Sequence, residues 1–416
     1  MLKSINIKNF KSVKDLKIEL GRVNVFIGEN GCGKTSILEG IALASSAISN
    51  KLDQEFLVSR GVRVTEPKLM KSAFSKFDKD NKIELSLTNI DDKTVNFKID
   101  YKNKNLIIND IDTNINIQLS DYKFNEFFSL FTENEELKNI FIKKAKSKKE
   151  KNSDEITEVF KNLLTDYYNN QIESFKDPFI KSDFIFSHNH QLIEKFNFSN
   201  FLIYTPENYF LRRFEEEGQI YPIGIKGEGL FKHLVSLFKE NDSFCQELCD
   251  NLKLINWFES LEVPSDLSFT EMRLNIKDKF LKDTIEYFDQ RSANEGFLYL
   301  LFYFSLFLSN ETPEFFAIDN IDNALNPKLC KELIERLVTL SKQKEKQVIL
   351  TTHNPSILDG LDLSKDDQRL FVIYRNADGH TKAKRIKPPK SIDGINTVRL
   401  SEAFIRGYIG GLPKNF

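Results

Sequence analysis

Val23-Asn24-Val25-Phe26-Ile27 reads as a buried strand, and it runs straight into Gly28-Glu29-Asn30-Gly31-Cys32-Gly33-Lys34-Thr35-Ser36. The second segment is a complete G-x-x-x-x-G-K-T, and Ile37, Leu38, Ile41 and Ile48 follow it at helical spacing. Strand, glycine-rich turn and helix in that order are what a phosphate-binding loop requires. The glycines let successive backbone N–H groups curl around a phosphate, and the helix N-terminus adds its positive end. Gly28, Asn30, Gly31, Cys32, Gly33, Lys34, Thr35 and Ser36 are the expected nucleotide-binding residues. Lys34 would reach the outer phosphates of a nucleoside triphosphate, and the Thr35 hydroxyl would coordinate Mg²⁺.

The other half of such a site needs an acidic residue at the end of a buried strand. Phe315-Phe316-Ala317-Ile318-Asp319 supplies it, with Asp319 the expected second Mg²⁺ residue. The next position normally carries the glutamate that polarises the attacking water. Here it is Asn320, whose amide cannot take a proton, so slow hydrolysis is expected. Asp322, two residues on, is the alternative acid. Val348-Ile349-Leu350-Thr351-Thr352-His353 is a strand ending at a histidine able to touch the terminal phosphate. Ser292-Ala293-Asn294-Glu295-Gly296 precedes an apolar helix.

Working outward, Ile5 and Ile7, then Leu16, Ile18 and Leu20, alternate as strands do. Ile83, Leu85, Leu87 and Val95, Phe97, Ile99 flank Asp91-Asp92-Lys93 as an antiparallel hairpin, with Leu106 to Ile108 as a third strand. From about Asp121 to Asn200 the chain is charged, rich in Phe and Lys, and without alternation. It reads as a helical insertion, and it contains the basic run Lys143 to Lys149. A strand is expected at Phe201 to Tyr204, a mostly helical stretch over Gly229 to Phe288, and a hairpin around Asp378-Gly379. The organisation is therefore an N-terminal lobe (1–120), an insertion forming an arm or lid (121–200) and a C-terminal part (201–416).

The 59 basic and 61 acidic residues nearly cancel, so contact with DNA would have to come from a local patch such as 143–149. Four cysteines in 416 residues make no disulfide framework, which points to a reduced compartment. The N-terminus lacks the core of a signal peptide, and the longest apolar run, Phe297 to Leu308, is too short to span a membrane. A cytoplasmic protein with no membrane contact is expected. His188-Asn189-His190 has no second ligand pair nearby and reads as a polar loop.

The order of these elements, phosphate loop, Ser292 to Gly296, acidic strand, histidine strand, resembles the ABC-class ATPases related to RecF, SMC and the OLD nucleases. Further residues carry the likeness: Asn9-Phe10-Lys11-Ser12, Pro206-Glu207-Asn208, Ile318 to Pro327, Thr352 to Ser356 and the tail Arg406 to Pro413. The combination is most similar to the ATPase subunit of Septu-type anti-phage modules, with PARIS-type ATPases as neighbours. The resemblance implies an α/β fold: an ABC-type head, a mixed sheet with an antiparallel β lobe and an α lobe.

It also implies that Ser292, Asn294, Glu295 and Gly296 form the signature loop that caps a partner's nucleotide, with either Ser292 or Asn294 touching the γ-phosphate. That requires a homodimer or higher homo-oligomer with composite ATP sites. Only 63 residues follow His353 (416 − 353), too few for a nuclease domain, so any cutting of nucleic acid would fall to a partner, and the Septu-type resemblance implies an HNH-type nuclease acting in trans. The expected function is a slow ATPase regulating that nuclease. The alternatives are a RecF/SMC-like repair ATPase that clamps DNA, and a nucleotide-locked scaffold that never turns over.

Overall fold

The computed structural model describes residues 1–72, 82–102, 105–113, 198–213, 220–240, 242–264, 273–282, 285–388 and 398–410. The expected insertion lies outside these residues except for 198–200, as do the basic run, His188 to His190 and the end of the tail at 411–413.

Two sheets share the core. The first is antiparallel: β1 (Leu2–Phe10), β2 (Val13–Glu19), β4 (Ile83–Asn89), β5 (Thr94–Lys102) and β6 (Asn105–Thr113) stand in the order β2-β1-β4-β5-β6. Its alternating residues Ile83, Leu85, Leu87, Val95, Phe97 and Ile99 are buried, which is why the pairing is fixed in register. The third strand extends well beyond the expected Leu106 to Ile108.

The second sheet has the order β13-β12-β3-β11-β10-β7. It is built from β3 (Val23–Ile27), β7 (Leu202–Tyr204), β10 (Phe315–Ile318), β11 (Gln347–Thr352), β12 (Gln368–Arg375) and β13 (Thr381–Ile386). All pairings are parallel except the β12–β13 hairpin. The inner strands β3, β10 and β11 are buried along their whole length, as parallel strands covered on both faces must be.

The described helices are α1 (Lys34–Ile48), α2 (Gln54–Ser59), α3 (Pro67–Met70), α4 (Asn208–Arg212), α5 (Leu230–Glu240), α6 (Asp242–Leu252), α7 (Glu295–Leu308), α8 (Pro327–Gln343) and α9 (Leu400–Ile405). α1 lies between the two sheets. Its Ile37, Leu38 and Ile41 pack with the antiparallel sheet and with Phe26, Ile203, Ala317 and Ile349 of the parallel one. The opposite face of the parallel sheet carries α5 to α8. Nearly all of α7 is buried, so it is apolar on every side rather than amphipathic. No helix among the described residues is long and apolar enough to cross a membrane.

One expectation fails. Among the described residues the stretch Gly229 to Phe288 is helical through α5 and α6 only, after which β8 (Phe258–Glu262) pairs antiparallel with β9 (Asn275–Asp278). The cause is packing against α7: the rings of Trp257 and Phe258 lie 5.5 and 5.6 Å from Phe297, which holds the chain extended there. The short helix α9 was not anticipated either.

Candidate nucleotide site

β3, β11 and β10 are neighbours and point the same way, so their C-terminal ends open on one crevice. The phosphate loop follows β3, Asp319 follows β10, and His353 follows β11. Three segments far apart in sequence meet because the register pairs Ile27 with Thr352 and Ile318 with Leu350.

Two glycines at positive φ shape the loop, one of them where a side chain has no room. Gly33 sits at φ +107°, and a Cβ there would lie 2.1 Å from Thr381 Oγ1; Gly31 sits at φ +72° facing open space. Outside support comes from the β12–β13 hairpin. Thr381 Oγ1 donates to the Cys32 carbonyl (3.0 Å) and bonds Ser12 Oγ (2.7 Å), while Arg375 Nε donates to the Gly31 carbonyl (2.9 Å). α1 begins with no side-chain cap and no acidic residue in its first turn, leaving its leading N–H groups for an anion. Asn30 and Gly31 are exposed at the tip, and Ser36 is half-buried in the first turn of α1.

Lys34 is buried, and its Nζ donates to the loop's own carbonyls at Gly28 (2.9 Å) and Glu29 (3.1 Å). Burial pulls its pKa down, while the charges of Asp319 and Asp322 hold it up. Burial pushes the Cys32 thiol up, so it stays protonated beside the lysine. Thr35 Oγ1 donates to Asp319 Oδ2 at 3.2 Å, which places the two expected Mg²⁺ residues side by side. The donor set and the open cradle fit a magnesium–triphosphate group.

The far half is held by two threonines at the end of β11. Thr351 Oγ1 donates to Asp319 Oδ1 and accepts from the Asn320 N–H (2.9 Å). Thr352 Oγ1 donates to Asp322 Oδ1 at 2.7 Å. Asn320 lies in the left-handed region at φ +57°, a conformation that asparagine tolerates better than most residues. The exposed His353 ring stands beside the Gly28 backbone; partial burial and the Lys34 charge lower its pKa and keep it neutral at pH 7.

The segment 292–296 opens α7. The Asn294 side chain caps that helix, accepting from Phe297 N at 2.8 Å, so its oxygen is already engaged. Ser292 is exposed, with its hydroxyl on Asp289 Oδ1 at 3.3 Å. Glu295 accepts from Asn208 Nδ2 (2.8 Å), and a Cβ on Gly296 would come within 3.1 Å of the Ala324 carbonyl. Among the described residues no hydrogen bond joins 292–296 to the phosphate loop of the same chain.

Sequence reasoning missed Arg375, Thr381 and the supporting roles of Thr351 and Thr352. It also missed a buried ion cluster beside the loop. Glu39, wholly buried in α1, accepts from Lys11 Nζ (2.8 Å), Arg63 Nε (2.9 Å) and Arg63 N (3.0 Å). The available signal was a carboxylate in a helix otherwise lined by Ile and Leu.

Curated relatives match short stretches. An uncharacterized protein, MJECL10, of Methanocaldococcus jannaschii is 42% identical over 67 residues, 15% of this chain and 31% of that protein. The DNA replication and repair protein RecF of Clostridioides difficile is 37% identical over 86 residues, 20% of this chain and 22% of RecF. The OLD nuclease of Thermus scotoductus is 33% identical over 73 residues, 16% and 14% of the respective chains. The chain thus spans less than a third of the length of each of these relatives. In three dimensions it is similar to an SMC head solved bound to the C-winged helix domain of ScpA, with TM-score 0.54 and 14% identity over 93% of this chain and 98% of that one. The fold is that of an SMC-like, ABC-type ATPase head. The family described as "AAA domain, putative AbiEii toxin, Type IV TA system" matches residues 23–359, and the chain belongs to it.

Proposed function

We propose that the protein binds ATP with Mg²⁺ at this crevice, hydrolyses it slowly, and uses the bound state to regulate a partner nuclease in anti-phage defence. The observation that carries the nucleotide reading is the meeting of Lys34, Thr35, Asp319 and His353 at the ends of three adjacent parallel strands. Lys34 would leave the loop carbonyls for the outer phosphates, and the bare N-terminus of α1 would take the remaining charge. Thr35 and Asp319 would hold Mg²⁺, which neutralises charge on the phosphates when bound. His353 is poised to donate to the terminal phosphate.

Slow turnover follows from Asn320, which offers no base to the attacking water. Exposed Ser292, rather than the helix-capping Asn294, suits contact with the nucleotide of a second copy, giving a homodimer with two composite sites. The bound γ-phosphate then biases the population toward the closed dimer. The 1–120 and 201–416 parts would form one head, with 121–200 as arm or lid. The Septu-type setting, and with it an HNH nuclease partner, rests on the family resemblance. The RecF matches favour a second reading, a repair ATPase that clamps DNA in its ATP state.

Phosphate release under saturating ATP–Mg²⁺ tests the central role. Asn320→Glu is expected to raise turnover by about 100-fold, the range a positioned general base supplies, at some cost from placing glutamate at a left-handed position. Unchanged release in a folded, ATP-binding variant would contradict the role given to Asn320.

A further inference from the structure

Asp322 carries a carboxylate in the crevice, and its position invites reading it as the base that Asn320 cannot be. Its hydrogen bonding assigns it other work. Oδ1 accepts the Thr352 hydroxyl at 2.7 Å, and the same Thr352 oxygen accepts from the Asn354 N–H at 2.9 Å. The turn 352–354, with His353 at its apex, is therefore anchored through Thr352 to the loop that follows β10 and closed on itself by the Asn354 N–H. Asn354 is fixed in its own right: its Oδ1 accepts from Ser356 N (3.0 Å), and its Nδ2 points to Cys330 Sγ (3.5 Å). On the other side of the loop, Gly296 lies close under the Ala324 carbonyl at the start of α7. The link thus joins three parts: the turn that presents His353, the segment after Asp319 and the helix that opens at Ser292 to Gly296.

Resting on the reading above, we infer that Asp322 and Thr352 are a positioning pair, which fixes His353 over the phosphate site through the Thr352 hydroxyl, and that Asp322 is not the general base. Oδ1 of Asp322 is committed to a donor inside the fold, the bonding of a strut; a base would act through Oδ2, which Asp322→Asn tests. An imidazole displaced by about an ångström from its phosphate loses on the order of tenfold or more in rate.

The test uses the full chain and compares kcat, KM and melting temperature for Asp322→Ala, Asp322→Asn, Thr352→Val and Thr352→Ser, each also built on Asn320→Glu to give measurable turnover. Asp322→Ala and Thr352→Val should each lower kcat by about tenfold with KM within about twofold, and the double variant should lose no more than either single one. Asp322→Asn, which keeps an oxygen for the threonine, and Thr352→Ser, which keeps the hydroxyl, should each restore most of the lost kcat. Asp322→Asn as inactive as Asp322→Ala would overturn the inference and make Asp322 the base. So would a lowered melting temperature with unchanged kcat, since the pair would then only brace the fold. Absence of ATP binding or phosphate release in every protein, the parent included, would instead sink the ATPase reading itself.

Discussion

The two halves of the crevice are held in different ways. The phosphate loop is shaped by backbone: glycines at positive φ, and carbonyls of Gly31 and Cys32 pinned by Arg375 and Thr381. The Asp319–Asp322 half is shaped by side chains, with adjacent hydroxyls of Thr351 and Thr352 holding an acid each. A backbone cradle tolerates almost no change in size, whereas hydroxyl struts fail one bond at a time. One half depends on leaving out side-chain atoms at Gly33, the other on single hydroxyl bonds.

Substitutions separate the two kinds of support. The largest effect is expected from Lys34→Ala, which removes the charged donor of the loop. ATP affinity, measured by calorimetry, should fall by about 100-fold, as loss of a charge-assisted bond of about 3 kcal/mol implies. Next, Gly33→Ala forces a Cβ to within 2.1 Å of Thr381 at φ +107°. It should cost about 2–3 kcal/mol in denaturant unfolding. Thr351→Val leaves Asp319 Oδ1 and the Asn320 N–H each short of a partner, and about 2 kcal/mol should be lost. A silent Thr351→Val would end the view that strand hydroxyls support the second half. The smallest effect has the opposite sign. The Tyr303 hydroxyl is wholly buried without a hydrogen-bond partner, so Tyr303→Phe should stabilise by about 1 kcal/mol and raise the melting temperature.

The same contrast separates what could be read in the sequence from what could not. Gly28 to Thr35 is contiguous, and its spacing is its chemistry, so strand, loop and helix were legible together. Asp319 was legible because it ends an apolar run whose length suits a buried strand, and His353 because it follows the strand-like run Val348 to Thr352. The struts were not: Thr381 meets Cys32 only because the β12–β13 hairpin lies beside β3, and Thr352 meets Asp322 only because β11 lies beside β10. No local pattern marks a threonine for such a task. Glu39 was visible as a misplaced charge, but its partners Lys11 and Arg63 come from separate turns. The β8–β9 hairpin was read as helix because its strands of five and four residues are too short for alternation to register, and tertiary contact with α7 decides their state. Asn320 carries a further lesson. At φ +57° asparagine suits the backbone, so its place in the turn has a conformational reason apart from the catalytic role proposed for it.

In the proposed function, bound ATP closes two copies of the chain and is hydrolysed slowly. Light scattering on the purified protein with and without ATP–Mg²⁺, with phosphate release followed in the same sample, tests it most directly. The account predicts at least a doubling of mass that persists with ATP while little phosphate appears. A mass unchanged by ATP together with brisk phosphate release would contradict it.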